Sequence, residues 1–207
     1  MRLMIAIPCG DTVRYEFAES LSKLLMRLSE EGIDYDVKWL AGSLIYAARE
    51  ELAITAMDEG FTHVLWLDSD MSFTGDLFDI LRSVNKPFVT GIYRSRRSPF
   101  AYCLFTDVPN AQRVLKLQNE PFAVEACGFG CVLMETDCLR KVKAHYSTCF
   151  TPSLSAGEDI AFCERWRALN TMENEIIAVP DARANHIAYV VLRCDDPQKL
   201  IEYKELR

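Results

Sequence analysis

The chain has 207 residues, 50% of them hydrophobic and 26% charged, a length and composition that predict one globular domain rather than a disordered chain. Lysine and arginine number 23 against 30 acids, a net charge of -7 with an isoelectric point near 5.1, which excludes a general grip on nucleic acid or an anionic membrane surface. No apolar run reaches the roughly 18 residues of a membrane span, and the start lacks the long apolar core and cleavage site of a secretory leader. The 8 cysteines lack regular short spacing, several sit inside apolar runs, and they read as reduced thiols. A cytoplasmic enzyme or binding protein is the expectation.

Residues 3–8 read as a buried strand, and 15–28, with apolar residues at helical spacing, as a helix closed by Gly32. A strand is predicted over 35–40 and a helix from Ser43 or Leu44 to Glu59, ahead of Gly60. Residues 63–67 form a continuous apolar run too short for a helix, as a strand buried on both faces should be. A helix over 75–84 and a strand over 87–92 complete an alternation that predicts an α/β domain with a mostly parallel central sheet flanked by helices. Between 99 and 134, short β-leaning runs at 102–105, 114–117 and 122–124 predict an antiparallel extension in the second half. Helices over 136–143 and 158–169, a loop at 146–156 and strands at 176–179 and 186–191 finish the pattern. No repeat, low-complexity tract or linker interrupts it, so 1–207 is expected to be a single domain.

Ligands of open α/β sheets gather at the carboxyl ends of the strands. Asp68-Ser69-Asp70 directly follows the run at 63–67. Two carboxylates two residues apart in an extended segment can both approach one hard cation, and oxygen ligands suit Mg²⁺ or Mn²⁺. The same acids could instead cap and turn the chain into the next helix. Glu158 and Asp159 open an amphipathic helix, where the helix dipole favours acids in any case. His186, beside a late strand, is either a packed residue or a ligand. Basic residues cluster once, at Arg94-Ser95-Arg96-Arg97, as a clamp for an anionic donor or acceptor or as a solvated turn. Arg49, on the second helix, could pair with an acid on that helix or reach a phosphate.

The ordered set of Arg49, Asp68-Ser69-Asp70, Gly128-Phe129-Gly130-Cys131-Val132, Gly157-Glu158-Asp159 and His186 resembles a GT-A-type glycosyltransferase, family-two-like and of the nucleotide-diphospho-sugar transferase fold. The resemblance covers residues 3–191 and implies a single Rossmann-like GT-A domain. It implies a metal-dependent, hexosyltransferase-like enzyme that moves a sugar from a nucleoside-diphosphate sugar to an unknown acceptor hydroxyl, with Mn²⁺ or Mg²⁺ as cofactor. Asp70 is then the direct metal ligand, Asp68 contacts the ribose or sugar or meets the metal through water, and His186 completes the metal shell. Asp159 is implied as general base of an inverting transfer, supported by Glu158 and kept ionised by the helix dipole. Arg49 looks toward the nucleotide, and Arg94 and Arg97 belong with the donor. Gly128, Phe129 and Gly130 are implied on the acceptor side, where missing side chains let substrate approach the backbone. Direct nucleic-acid binding and a membrane span are not expected. Residues 8–11 depart from the family's Tyr-Asn pattern after the first strand, which leaves base recognition unassigned.

Other readings use the same acids. A haloacid-dehalogenase-like phosphatase also places Asp-x-Asp after an apolar strand, with Asp68 as nucleophile and Asp70 as acid, although normally on the first strand. A non-catalytic sugar-nucleotide-binding protein would hold the ligand without turnover. A nucleotidyltransferase of related fold needs a glycine-rich, arginine-containing loop after the first strand, which residues 8–14 match poorly.

Overall fold

The computed structural model describes residues 1–42, 44–96, 99–169, 174–188, 190–191 and 202–203. Two strand-helix units, β1 (Arg2–Cys9), α1 (Tyr15–Glu30), β2 (Asp34–Ala41) and α2 (Ile45–Asp58), lead into β3 (His63–Leu67). Next come β4 (Met71–Phe73), α3 (Leu77–Ser83), β5 (Phe88–Ile92), β6 (Leu104–Asp107), β7 (Gln112–Arg113), β8 (Phe122–Val124), β9 (Ala126–Cys127) and β10 (Cys131–Glu135). The described chain ends with α4 (Thr136–Tyr146), α5 (Glu158–Ala168), β11 (Ile176–His186) and a small pair, β12 (Val190–Val191) with β13 (Glu202–Tyr203). Among the described residues no helix is long and apolar enough to cross a membrane, and the cysteines are free thiols.

The main sheet runs β2-β1-β3-β10-β5-β11-β4, with β8 also paired to β11. β1 is parallel to both β2 and β3, and β5 is parallel to β11. β10 lies antiparallel between β3 and β5, so the antiparallel half enters the middle of the sheet as well as extending it. Its residues Cys131, Val132, Leu133 and Met134 are all buried, and an unbroken apolar run needs cover on both faces. The extension itself is the small sheet β7-β6-β9. The run at 114–117 is not a strand: Gln112 and Arg113 make the ladder, and Leu115 points to solvent.

Side-chain alternation along β1 sets the layers. Met4 and Ala6 pack with Leu52 and Ala53 of α2, Val142 of α4 and Phe162 of α5, whereas Leu3, Ile5 and Ile7 meet Phe17, Leu24 and Leu28 of α1 and Leu81 of α3. The stripe at Phe17, Leu21, Leu24 and Leu28 has helical spacing, and Gly32, at φ 67, turns the chain after the helix where a side chain would be strained.

The late strand differs most from expectation. It does not stop at 179 but continues to His186 through a register shift between Ala178 and Arg183 that contains Pro180, a residue that cannot donate to a ladder. Beyond the shift it pairs with β4, an element the sequence pattern does not announce, and His186 falls opposite Met71. His186 therefore ends a strand, where the pattern had it beginning one.

Candidate functional site

The chain leaves β3 in a turn, closed by the Met71 N–H donating to the Asp68 carbonyl at 3.2 Å. Asp68 and Asp70 therefore lie in a turn rather than along an extended segment, and they take different partners. Asp68 Oδ1 accepts from Arg49 Nη2 at 2.8 Å. Asp70 Oδ2 accepts from Arg96 Nη1 at 2.6 Å and lies 3.4 Å from His186 Nε2. Neither acid caps α3, whose N-cap position is Asp76.

Arg49 has its side chain 4% exposed and also donates from Nη1 to Glu158 Oε1 at 2.5 Å. Its guanidinium lies 5.6 Å from the centre of the Phe129 ring, and its buried Nε has no partner among the described residues. Its acids come from two other elements rather than its own helix. The side chain thus ties α2, the end of β3 and the start of α5 together, and both Nη atoms are engaged by protein carboxylates rather than left facing a nucleotide. Burial works against its charge, yet Asp68, Glu158 and Asp159 together hold its pKa above the ordinary arginine value.

Asp159 is half-buried, and its Oδ1 accepts the Ile160 N–H at 2.8 Å. Burial raises its pKa above the usual aspartate value; Arg49 opposes the rise, while Glu158 and Asp68 add to it. A carboxylate so shifted is a better proton acceptor than an ordinary one. Arg49, Asp68, Glu158 and Asp159 border a cleft of about 370 Å³ together with Tyr93 and His186.

The glycines expected on the acceptor side lie against Tyr93. A Cβ on Gly128 would collide with the Tyr93 hydroxyl, and one on Gly130 would lie 3.0 Å from Tyr93 Cζ. Gly130 N–H donates to Tyr93 Oη at 3.0 Å. The missing side chains make room for Tyr93. Gly128 and Phe129 still border the cleft, but the Phe129 ring packs into a cluster with Trp66, Phe150 and Phe162.

Several residues of the site were not singled out by sequence. Tyr93, the first residue beyond β5, is buried, and burial pushes its phenol well above the usual value, so it stays neutral. Cys103 borders the same cleft, but burial pushes its thiol up to about 11, away from the thiolate form. Glu50 anchors the segment that leads to α5: it accepts from Lys143 Nζ at 2.9 Å, Thr148 Oγ1 at 3.0 Å and the backbone N–H groups of Cys149 and Phe150 at 2.7 and 2.8 Å. Of the arginine cluster, Arg96 reaches Asp70 while Arg94 donates to the Phe100 carbonyl and the Tyr102 hydroxyl, both at 2.9 Å. Arg97 lies outside the described residues.

Among the described residues no group of three or more His, Cys, Asp or Glu side chains is arranged to hold a metal. The set of Asp68, Asp70 and His186 is not assembled among the described residues, and Asp68 is bound by Arg49. Asp70 and His186 do come together. The His186 Nδ1 lies 3.0 Å from the Arg94 carbonyl, which can only accept, so Nδ1 donates and Nε2 is turned to Asp70. A carboxylate beside an imidazole whose orientation is fixed by a carbonyl is a donor pair that fits Mn²⁺. Burial would raise the Asp70 pKa, but His186 and Arg96 outweigh it and hold the carboxyl below its ordinary value, and Arg96 would have to give way to a bound cation.

No family model matches this chain, and neither does any curated protein. Solved structures share its fold. A197 from STIV superposes with a TM-score of 0.61 at 17% identity, over 100% of this chain and 96% of that one. GalNAc-T7, solved with UDP, GalNAc and Mn²⁺, gives 0.59 at 12% identity over 90% of this chain, which spans 44% of that protein. The catalytic domain of Drosophila beta1,4-galactosyltransferase 7, in complex with xylobiose, gives 0.54 at 13% identity, over 90% and 70%. At these identities the likeness is one of fold: a Rossmann-like α/β domain that glycosyltransferases also use.

Proposed function

We propose that this chain is a glycosyltransferase that takes a sugar from a nucleoside-diphosphate sugar and transfers it, with inversion, to an acceptor hydroxyl. The observation that carries the reading is one cleft bordered by Asp159, a carboxylate with a raised pKa, and by His186, which pairs with Asp70. The fold is also that of GalNAc-T7, whose structure contains UDP and Mn²⁺, and this supports the donor and metal classes.

In this reading Asp159 accepts the proton of the acceptor hydroxyl as its oxygen attacks the sugar C1, the C1–O bond to phosphate breaks, and the nucleoside diphosphate departs. Attack opposite the leaving group inverts the sugar carbon. Asp70 and His186 would hold Mn²⁺ or Mg²⁺, which when bound supplies positive charge for the leaving diphosphate. Arg49 positions rather than reacts: it fixes Asp68 toward the ribose or sugar and Glu158 beside the base. The phosphatase reading needs Asp68 as an unencumbered nucleophile with Asp70 alongside, and the turn at 68–71 separates them while Arg49 binds Asp68.

Because water can replace the acceptor, Mn²⁺-dependent release of UDP from UDP-sugars is a sufficient assay. Asp159→Asn is expected to lower it by about 10²–10⁴-fold with UDP binding retained. The wild-type rate should rise with pH through a value above the ordinary aspartate range, since the base works only ionised. Undiminished release by the variant removes Asp159 as base.

A further inference from the structure

A second cleft, of about 580 Å³, shares the Tyr93–His186 wall with the first and lies between residues 92–96, Phe100 and Tyr102 on one side and the end of β11 on the other. The two rings of that wall are 5.8 Å apart, and both residues border both clefts. In a chain with 30 acids, none of the described residues bordering this cleft is acidic, whereas Arg94 and Arg183 border it along with Arg96, which is paired to Asp70. Such a local reversal of sign concentrates anions. Phe100, Tyr102 and Leu117 give it an apolar side.

The cleft is held in shape by its own residues. Arg94 lies 4.2 Å from the centre of the Tyr102 ring while bonding the Tyr102 hydroxyl and the Phe100 carbonyl. Phe100 sits at φ 55, a costly conformation for a bulky residue, which the Arg94 bond helps to hold. Arg183 donates Nε to the Pro180 carbonyl at 3.2 Å and is exposed beside the cleft.

Resting on the glycosyltransferase reading above, we infer that this second cleft is the acceptor site and that the acceptor carries a phosphate or carboxylate beside an apolar portion. The anion lies with Arg94 and Arg183, and the hydroxyl passes the Tyr93–His186 wall to reach Asp159. Its oxygen bonds to the sugar C1, the C1–O bond to phosphate breaks with its electron pair leaving on the diphosphate, and the proton goes to Asp159. Arg94, expected beside the donor, belongs on the acceptor side.

Phenyl phosphate, an anion joined to an apolar ring, is the probe. Its binding to the full chain is measured by calorimetry, alone and with saturating UDP and Mn²⁺, for wild type, Arg183→Glu and Arg183→Lys. Arg183 is exposed, so both variants should keep the fold, which melting temperatures check. The expected result is binding both alone and beside UDP, at least about tenfold weaker in Arg183→Glu and partly restored in Arg183→Lys, with UDP affinity unchanged within about twofold. Displacement of phenyl phosphate by UDP and Mn²⁺ assigns the cleft to the donor and overturns the proposal. So does wild-type affinity in Arg183→Glu. If the wild type binds no nucleotide at all, the glycosyltransferase reading falls and takes the acceptor assignment with it; a failed Arg183 arm with nucleotide binding intact sinks the acceptor site alone.

Discussion

Replacing Arg49 with methionine removes the charge at the centre of the site while keeping a similar apolar stem. Two carboxylates then lose their partner: Asp68, whose side chain is 26% exposed, and Glu158, at 15%. Breaking a buried pair by deleting one member costs about 3–5 kcal/mol, because the remaining charge is left uncompensated. Asp68 keeps enough contact with water to place the cost at the lower end, about 3 kcal/mol, or roughly 6–12 °C in melting temperature for a chain of this size. Chemical denaturation of Arg49→Met gives the number directly. A double-mutant cycle gives the cause: Glu158→Gln should cost clearly less in the Arg49→Met background than in the wild type. A loss under about 1 kcal/mol, the value of an exposed ion pair, or strictly additive effects, refutes the picture of Arg49 as the tie between α2, β3 and α5.

Two further substitutions probe the frame of the site. Glu50→Gln keeps the size but loses the charge that Lys143, Thr148 and two backbone N–H groups share, and should cost about 2 kcal/mol at neutral pH. Burial opposes ionisation of Glu50, but Lys143 and the backbone donors win and hold its pKa below the ordinary value. A depressed carboxylate contributes above its unfolded pKa and loses that contribution as pH falls through its folded one, so the gap between variant and wild type should close in acid; a constant gap contradicts the assignment. Gly128→Ala must push the Tyr93 hydroxyl off the Gly130 N–H, at about 1–3 kcal/mol. In Gly128→Ala with Tyr93→Phe the added penalty should shrink, and an unchanged penalty means the clash lies elsewhere.

The α/β core was legible because its strands are unbroken apolar runs and its helices end at Gly32 and Gly60, two residues with positive φ. The chemistry-bearing residues were legible one at a time, as acids and a histidine next to strand ends. Their company was not. Asp70 meets His186 only because β11 changes register around Pro180 and then pairs with the three-residue β4, a contact across more than a hundred residues that no local pattern encodes. Arg49 offered two readings, an acid on its own helix or a phosphate, and the fold gave it carboxylate partners 19 and 109 residues away. Asp68 and Asp70 sit in a turn closed by a backbone hydrogen bond, which the spacing of the two acids does not reveal. Glu50 looked like any charged residue on a helix because its donors belong to the distant segment 143–150.

Binding of UDP measured by calorimetry with and without Mn²⁺, in wild type and in Asp70→Ala, tests the central claim most directly. Asp70 and His186 as the cation's seat predict binding that requires Mn²⁺ in the wild type and a loss of at least about tenfold in the variant. Binding that ignores the metal, or survives intact in Asp70→Ala, would contradict the account.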